Sequence, residues 1–355
     1  MTNFTYEVLP SRILFGIGVF QQLASEIQRL GCGRAVILST SGQEKQAREL
    51  AQKIGKLAAG VFSEAVMHTP VPVSERAVTL VRSVNADCTV AFGGGSAIGL
   101  GKAIALRTGL PQIVIPTTYA GSEMTPILGE TAEGQKTTKR TLKVLPKVVL
   151  YDPKLTLTLP VSVSVTSGVN AVAHAVEALY AKDRNPIISL MAEEAIRAFV
   201  RSLPGIVANP KDGSARSEAL YGAWLAGTCL GAVGMSLHHK LCHVLGGTFD
   251  LPHAETHTVV LPHAMAYNTP AEPAVMTAIA KVFGAGQAST DLYNFIGRLG
   301  AKRSLRELGM PEAGIEKAAH LAIQNPYWNP RKLEYQPILD LIRRAWAGEA
   351  PSNEE

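Results

Sequence analysis

The sequence predicts an α/β N-terminal domain over residues 1–159 followed by an all-α C-terminal domain over residues 160–355. Three observations predict it. The 355 residues exceed what one compact core usually needs and suit two. Short apolar, β-branched runs alternate with amphipathic stretches up to about Tyr151. From about Val161 onward the long segments take on helical periodicity and few strand candidates remain.

In order, Ala35–Leu38, Cys88–Phe92, Gln112–Ile115 and Val148–Tyr151 read as strands. Between them, Gln43–Lys56 and Val73–Val84 read as helices. Strands that are apolar throughout, separated by helices, predict a parallel sheet covered on both faces. The boundary falls near Leu159–Pro160. Beyond it Ile187–Arg201, Ser217–Leu230, Val275–Phe283 and Ile315–Ile323 carry helical patterns. There is no internal repeat, and only the tail APSNEE from Ala350 reads as disordered.

Composition narrows the function classes. The chain is 46% hydrophobic and 18% charged, with 32 glycines, as expected of a soluble enzyme. No apolar run approaches the roughly 18 residues of a membrane span. The N-terminus lacks a basic region followed by an apolar one, so it does not read as a signal peptide. Cys32, Cys88, Cys229 and Cys242 are scattered without a CxxC pair and read as reduced thiols of a cytoplasmic protein. A formal charge of +5 and a pI near 9.0 are too mild and dispersed for nucleic acid. The densest basic stretch, Lys136–Lys147, reads as a solvated loop; the alternative is that part of it faces an anionic cofactor or substrate.

Gly93-Gly94-Gly95-Ser96 follows the strand CTVAF and precedes the helix-like AIGLGKAIALR. Strand, glycines and helix bring backbone N–H groups and a helix N-terminus to a phosphate. The GxGxxG fingerprint is not met, because Ile98 stands in the third glycine's place, and Lys102 followed by Ala103 is not a Walker A loop. Pro116-Thr117-Thr118-Tyr119-Ala120-Gly121-Ser122-Glu123 follows the next strand. Ligands of parallel sheets bind outside the carboxyl ends of the strands, so the two loops predict a cofactor cleft.

A second constellation lies in the helical half. Asn170 and His174 are spaced i, i+4, as are His239 and His243, and His253 follows Pro252. Such pairs share a helix face. The helix of His239 is expected to stop at Gly246-Gly247. Neutral imidazoles usually join a carboxylate to hold a divalent ion, but here an asparagine amide takes that place. His68, His257 and His263, taken singly, read as structural residues.

GGGSAIGLGKAIAL, PTTYAGSE, SGVNAVAHAVEALYA and HHKLCHVLGGTFDLPH resemble the iron-containing alcohol dehydrogenase superfamily, of dehydroquinate synthase-like fold, over most of the chain. FTYEVLPSRILFG, HTPVPVSE and NPYWNPR are similar to its maleylacetate reductase group. The resemblance implies a dinucleotide-binding domain, a helical domain, an active site in the cleft between them and a homodimer. It implies NADH or NADPH as cofactor, with Gly93, Gly94, Gly95, Ser96, Thr117, Thr118, Thr40 and Lys136 in its binding. Thr40 stands where NAD-specific relatives often carry an acid, which leaves NADPH open. The four ligand positions of metal-dependent members map to Asn170, His174, His239 and His253, and the nearby active-site histidine to His243. With Asn170 and with Gly99, where such members often have Asp, no bound metal is expected.

The implied reaction is reduction of the carbon–carbon double bond of a small dicarboxylate, maleylacetate, with chloromaleylacetate as a further candidate. His243 is expected as general acid or enolate stabiliser, with His174, His239 and His253 around the substrate anion. Asn170 and Tyr327 are expected to contact substrate, and Trp328 and Arg331 to shape the site. The alternatives are a metal-dependent alcohol or polyol dehydrogenase, a lyase of the same fold, and a nucleotide-binding regulator without activity.

Overall fold

Four strands without a polar face account for the centre of the first unit. In a computed structural model, which describes residues 4–132 and 135–352 and omits the side chains of Gln135 and Lys136, the chain divides into two compact units. One spans Val8–Leu159; the other runs from Pro160 onward and takes in residues 4–7.

The first unit runs β1 (Arg12–Phe15), α1 (Leu23–Arg29), β2 (Ala35–Leu38), α2 (Glu44–Ile54), β3 (Ala58–Phe62) and α3 (Val71–Ser83). It continues through β4 (Cys88–Gly93), α4 (Gly95–Thr108), β5 (Gln112–Pro116), β6 (Ile127–Ala132), β7 (Gln135–Arg140) and β8 (Val148–Tyr151). Six strands form one sheet in the order β1-β8-β5-β4-β2-β3, with every pairing parallel. The inner strands β2, β4, β5 and β8 are buried at every residue, which is why they read as unbroken apolar runs. The edge strands β1 and β3 are partly exposed and were not legible in the sequence. The order reverses between β2 and β4, since β3 lies beyond β2 on one side and β5 beyond β4 on the other. Such a switch point opens a crevice at the strands' carboxyl ends.

The basic stretch from Lys136, expected as a solvated loop, is half strand. Gln135–Arg140 pairs antiparallel with Ile127–Ala132. Thr137–Arg140 remain exposed, so solvation holds while the loop assignment does not. The side chain of Lys136 lies outside the described residues.

Lys102 of α4 is fully buried and anchors the segment ahead of β6. Its Nζ donates to the carbonyls of Ser122 (2.6 Å), Thr125 (2.8 Å) and Ile127 (2.8 Å), and reaches the hydroxyls of Thr125 (2.8 Å) and Ser122 (3.3 Å). Burial pulls its pKa down to about 7, against the pull of the Glu123 carboxylate. Glu123 in turn accepts from the Tyr151 hydroxyl at 2.8 Å. Lys102→Met removes a donor from three carbonyls, leaving that of Ser122 with the Thr125 amide and hydroxyl, and takes the positive charge from beside Glu123. A loss of about 3–5 kcal/mol is expected, the usual cost of breaking a buried pair, read as a lower denaturant midpoint at unchanged slope. A midpoint equal to that of the unsubstituted protein would mean the buried ammonium is not holding the loop.

The second unit is helical. Its elements are α5 (Val161–Leu179), α6 (Pro186–Ala208), α7 (Gly213–Ala232), α8 (Leu237–Phe249), α9 (His253–Asn268), α10 (Pro273–Phe283), α11 (Ala288–Arg298), α12 (Ile315–Ile323) and α13 (Tyr335–Ala347). No single helix among the described residues is long and apolar enough to cross a membrane. α5 is central, packed by α6, α7 and α9. Ser164 to Leu179 are buried at every position. One correction concerns α8, which runs through Gly246-Gly247 to Phe249 and ends at Asp250 in the left-handed region (φ 53°). Each interior glycine costs about 1 kcal/mol, but Leu241 and Leu245 bury into the core shared with α9, α12 and α13, and that packing outweighs it. Of the tail, Pro351 is buried, and residues 353–355 lie outside the described residues.

Candidate active site

The first unit brings three loops to the switch point. Thr40 follows β2, Gly93 closes β4 with Gly94 after it, and Thr117 and Thr118 follow β5. The Thr117 amide donates to the Gly93 carbonyl (3.1 Å), and Gln43 Nε2 to Thr117 Oγ1 (3.1 Å). Gly93 and Gly94 are fixed by packing. A Cβ on Gly93, at φ +148°, would lie 2.8 Å from Gln43 Oε1, and one on Gly94 2.8 Å from Thr118 Cγ2. Gly95 differs, with nothing within 4 Å of its added Cβ. It opens α4, whose N-terminus has no side-chain cap. Uncapped amides at the positive end of a helix, beside open space at a switch point, suit a phosphate. Gly99 faces elsewhere: its Cβ would lie 2.5 Å from Thr69 Oγ1, so a larger residue collides there. From Ser39 to Gln43 there is no acidic side chain.

In the second unit, a helix buried all round must satisfy every polar residue it carries. α5 carries Asn170, His174 and Glu177 at spacings of four and three, which is one face. Glu177, fully buried, finds three donors. Its Oε1 accepts from the His238 amide (2.8 Å), and its Oε2 from the Ser236 amide (2.8 Å) and His239 Nδ1 (2.7 Å). It therefore caps α8 from another helix, where Ser236 itself makes no side-chain cap. In neutral His239 the hydrogen then sits on Nδ1 and Nε2 presents its lone pair.

The face ahead of Glu177 is left unsatisfied. Asn170 Oδ1, His174 Nδ1 and His239 Nε2 are buried and have no protein partner. The His174 and His239 rings lie 5.2 Å apart. Burial, and then the neighbouring histidines, hold His174, His238 and His257 well below the usual imidazole pKa, so they are neutral at physiological pH. His238 Nε2 and His257 Nδ1 share a hydrogen bond at 3.0 Å. The ring of His253, the first residue of α9, lies 4.3 Å from that of His257 at a 53° tilt, and so joins the cluster through it.

His243 lies one turn beyond His239, with ring centroids 6.2 Å apart, and is only partly buried. Its Nδ1 meets the Tyr327 hydroxyl at 2.9 Å. Burial raises the Tyr327 phenol above its ordinary pKa, so it keeps its proton. The segment that presents Tyr327 is tied down. Asn329 and Asn268 exchange amide hydrogen bonds (3.0 and 2.7 Å), Arg331 stacks on Tyr267 (4.6 Å), and Tyr267 Oη donates to the Lys332 carbonyl (2.6 Å). Trp328 is 42% exposed.

The structure thus gathers Asn170, His174, His239, His243 and Tyr327 in one region and adds three residues that sequence reasoning missed. Glu177 looked like any helical glutamate; its spacing from His174 was the available signal. His238 was the first half of a visible His-His pair. His257, read singly as structural, is i, i+4 from His253 and lies in the cluster. His263 is buried apart from it, beside Tyr293 (6.4 Å), its pKa brought down to about 3 by burial. His68 lies in the first unit at φ 62°.

The chain matches the family models for iron-containing alcohol dehydrogenase over residues 10–153 and for the C-terminal part of that family over residues 164–346. It is 58% identical over 351 residues to a maleylacetate reductase of Rhizobium sp. strain MTP-10005, covering 99% of this chain and all of that one. A crystal structure of a maleylacetate reductase from Agrobacterium tumefaciens is 56% identical, with a TM-score of 0.96 over 99% of this chain and 100% of the other. A putative alcohol dehydrogenase from Ralstonia eutropha JMP134 is 52% identical, with a TM-score of 0.98 and the same coverage. The chain belongs to the iron-containing alcohol dehydrogenase family, within its maleylacetate reductase group.

Proposed function

We propose that the chain catalyses NAD(P)H-dependent reduction of the carbon–carbon double bond of maleylacetate to 3-oxoadipate, in the cytoplasm and as a homodimer. The observation that carries the substrate is the 58% identity over 351 residues to a protein named maleylacetate reductase. The site geometry supports the chemistry. Hydride adds to the alkene carbon next to the distal carboxylate, charge develops on the ketone oxygen as an enolate, and the carbon between takes a proton. His243, held by Tyr327 and only partly buried, is the proton donor or enolate stabiliser. Asn170, His174 and His239 surround the bound dicarboxylate, with His253 beside them; Asn170 meets a carboxylate oxygen by turning its amide N–H2 toward it. Glu177 behind His239 fixes its ring orientation through the Nδ1 hydrogen bond. The loops at Thr40, Gly93–Ser96 and Thr117–Thr118 hold the cofactor, and Lys136 assists them. The absence of an acid between Ser39 and Gln43 leaves room for the 2′-phosphate of NADPH as well as for NADH.

The residues do not fit a tightly held divalent ion. Asn170 offers a neutral amide, and the nearest carboxylate, Glu177, is already committed to three donors. Among the described residues, the histidine nitrogens that gather within 4.8 Å belong to His238, His239 and His257, and the first and last of these already bond to each other. A metal is therefore assigned no step. Chelator-treated enzyme is expected to oxidise NADH at full rate on addition of maleylacetate, with negligible residual metal in the same sample. Activity that returns only with added iron or zinc would favour the metal-dependent alternative. Oxidation of simple alcohols without turnover of maleylacetate would overturn the substrate.

A further inference from the structure

Two of the cysteines scattered in the sequence meet in the fold. Cys32 lies in the turn between α1 and β2, and Cys88 opens β4; their sulfurs and a carboxylate oxygen of Asp87 all lie within 4.8 Å of one another. β2 and β4 are paired neighbours, with Ala35 opposite Cys88. Cys88 is fully buried, whereas Cys32 is partly exposed. The site sits at the amino ends of these strands, the end opposite Thr40 and Gly93.

A metal is not what this trio suits. The Asp87 carboxylate already accepts from the amides of Gly33 (2.7 Å) and Arg34 (2.9 Å). Two thiols remain, too few for a closed tetrahedral site. Two sulfurs within 4.8 Å, one of them reachable from solvent, are placed for disulfide formation once side-chain rotation brings them to about 2.05 Å.

We propose that Cys32 and Cys88 form an oxidation-responsive thiol pair that closes to an intramolecular disulfide with small-molecule disulfides such as oxidised glutathione. The Cys32 thiolate attacks one sulfur of the reagent, forming a mixed disulfide and expelling one thiolate. The Cys88 sulfur then attacks Cys32 Sγ, the first bond breaks, and the second thiolate leaves. Two protein thiols are oxidised, one reagent disulfide is reduced, and the two protons end on the two released thiols. The order follows from the environment. Cys32 is partly exposed while Cys88 is fully buried, so Cys32 is the thiol open to a reagent; its Sγ donates to the carbonyls of Asp87 (3.5 Å) and Leu30 (3.7 Å). Burial and the Asp87 charge raise both thiols overall, so the pair stays reduced until an oxidant accumulates.

The test is a non-reducing tryptic map of the full-length protein after incubation with oxidised glutathione. The expected product is residues 30–34 joined to residues 83–102, lost on reduction and absent from C32S and C88A. NADH binding should be unchanged when the link forms, because the cross-link lies away from the nucleotide loops. Glutathione retained on Cys32 with Cys88 free at plateau would overturn the proposal, as would linkage through Cys229 or Cys242 or no loss of thiol. Stoichiometric uptake of Zn2+ by the reduced protein, lost in C32S, would overturn it in favour of a metal site.

Discussion

His243→Ala is expected to lower turnover of maleylacetate by about 10²- to 10⁴-fold, the range for loss of a positioned acid–base group, while NADH binding is retained. The ring is held by Tyr327. Tyr327 Oη meets Nδ1 at 2.9 Å, and the phenol keeps its proton because burial raises its pKa. In neutral His243 the tyrosine donates to Nδ1 and the hydrogen sits on Nε2. In the protonated ring Nδ1–H donates to the tyrosine oxygen and Nε2 still carries a hydrogen. Both states point an N–H away from Tyr327, which is what proton delivery to an enolate carbon requires. The buried histidines are poorer candidates, since His174, His238 and His257 are held neutral at physiological pH. The measurement pairs steady-state NADH oxidation with cofactor titration by nucleotide fluorescence. Near-normal turnover in His243→Ala would remove His243 from the mechanism; loss of NADH binding would make the defect structural. Tyr327→Phe keeps the ring and removes the hydroxyl, so a smaller fall, in kcat more than KM, is expected.

What was legible in the sequence follows from what each element depends on. β2, β4, β5 and β8 are buried on both faces, so hydrophobicity alone marked them. The loops after β4 and β5 were marked by glycines and threonines. β3, AAGVF, is an edge strand with neither alternation nor a β-branched run, and its pairing with β2 is tertiary information. β7, QKTTKR, is polar and basic, which is also how a solvated loop reads. In the helical unit, i, i+4 spacing exposed Asn170 with His174 and His239 with His243, because both pairs lie within one helix. Glu177 acts across helices, and no local pattern encodes that its carboxylate meets the start of α8. His257 was read singly although it lies i, i+4 from His253; its hydrogen-bond partner His238 lies on a different helix.

Glu177 therefore carries the second large expected effect. Its carboxylate takes three donors in a fully buried setting, so Glu177→Ala leaves two backbone amides and one imidazole N–H unpaired. The expected loss is about 3–5 kcal/mol, the scale for breaking a buried charged contact, and the variant is expected to melt early or fail to accumulate. Glu177→Gln separates structure from chemistry. The amide has the carboxylate's shape but a single acceptor oxygen, so an N–H2 group must face some of the donors that Oε1 and Oε2 now serve. With the oxygen kept toward the His238 amide, His239 can meet the new N–H2 only by moving its hydrogen from Nδ1 to Nε2. Its free face then changes from lone pair to donor, beside Asn170 and His174. A fall in kcat/KM of about 10- to 100-fold is expected, the scale seen when the residue orienting a functional histidine is lost. The tautomer change itself should appear in the ¹⁵N shifts of His239 in histidine-labelled protein. Unchanged His239 shifts together with normal turnover in Glu177→Gln would reduce Glu177 to a helix cap. Shifted resonances with normal turnover would show that the orientation of His239 is held by Glu177 but not used in the reaction.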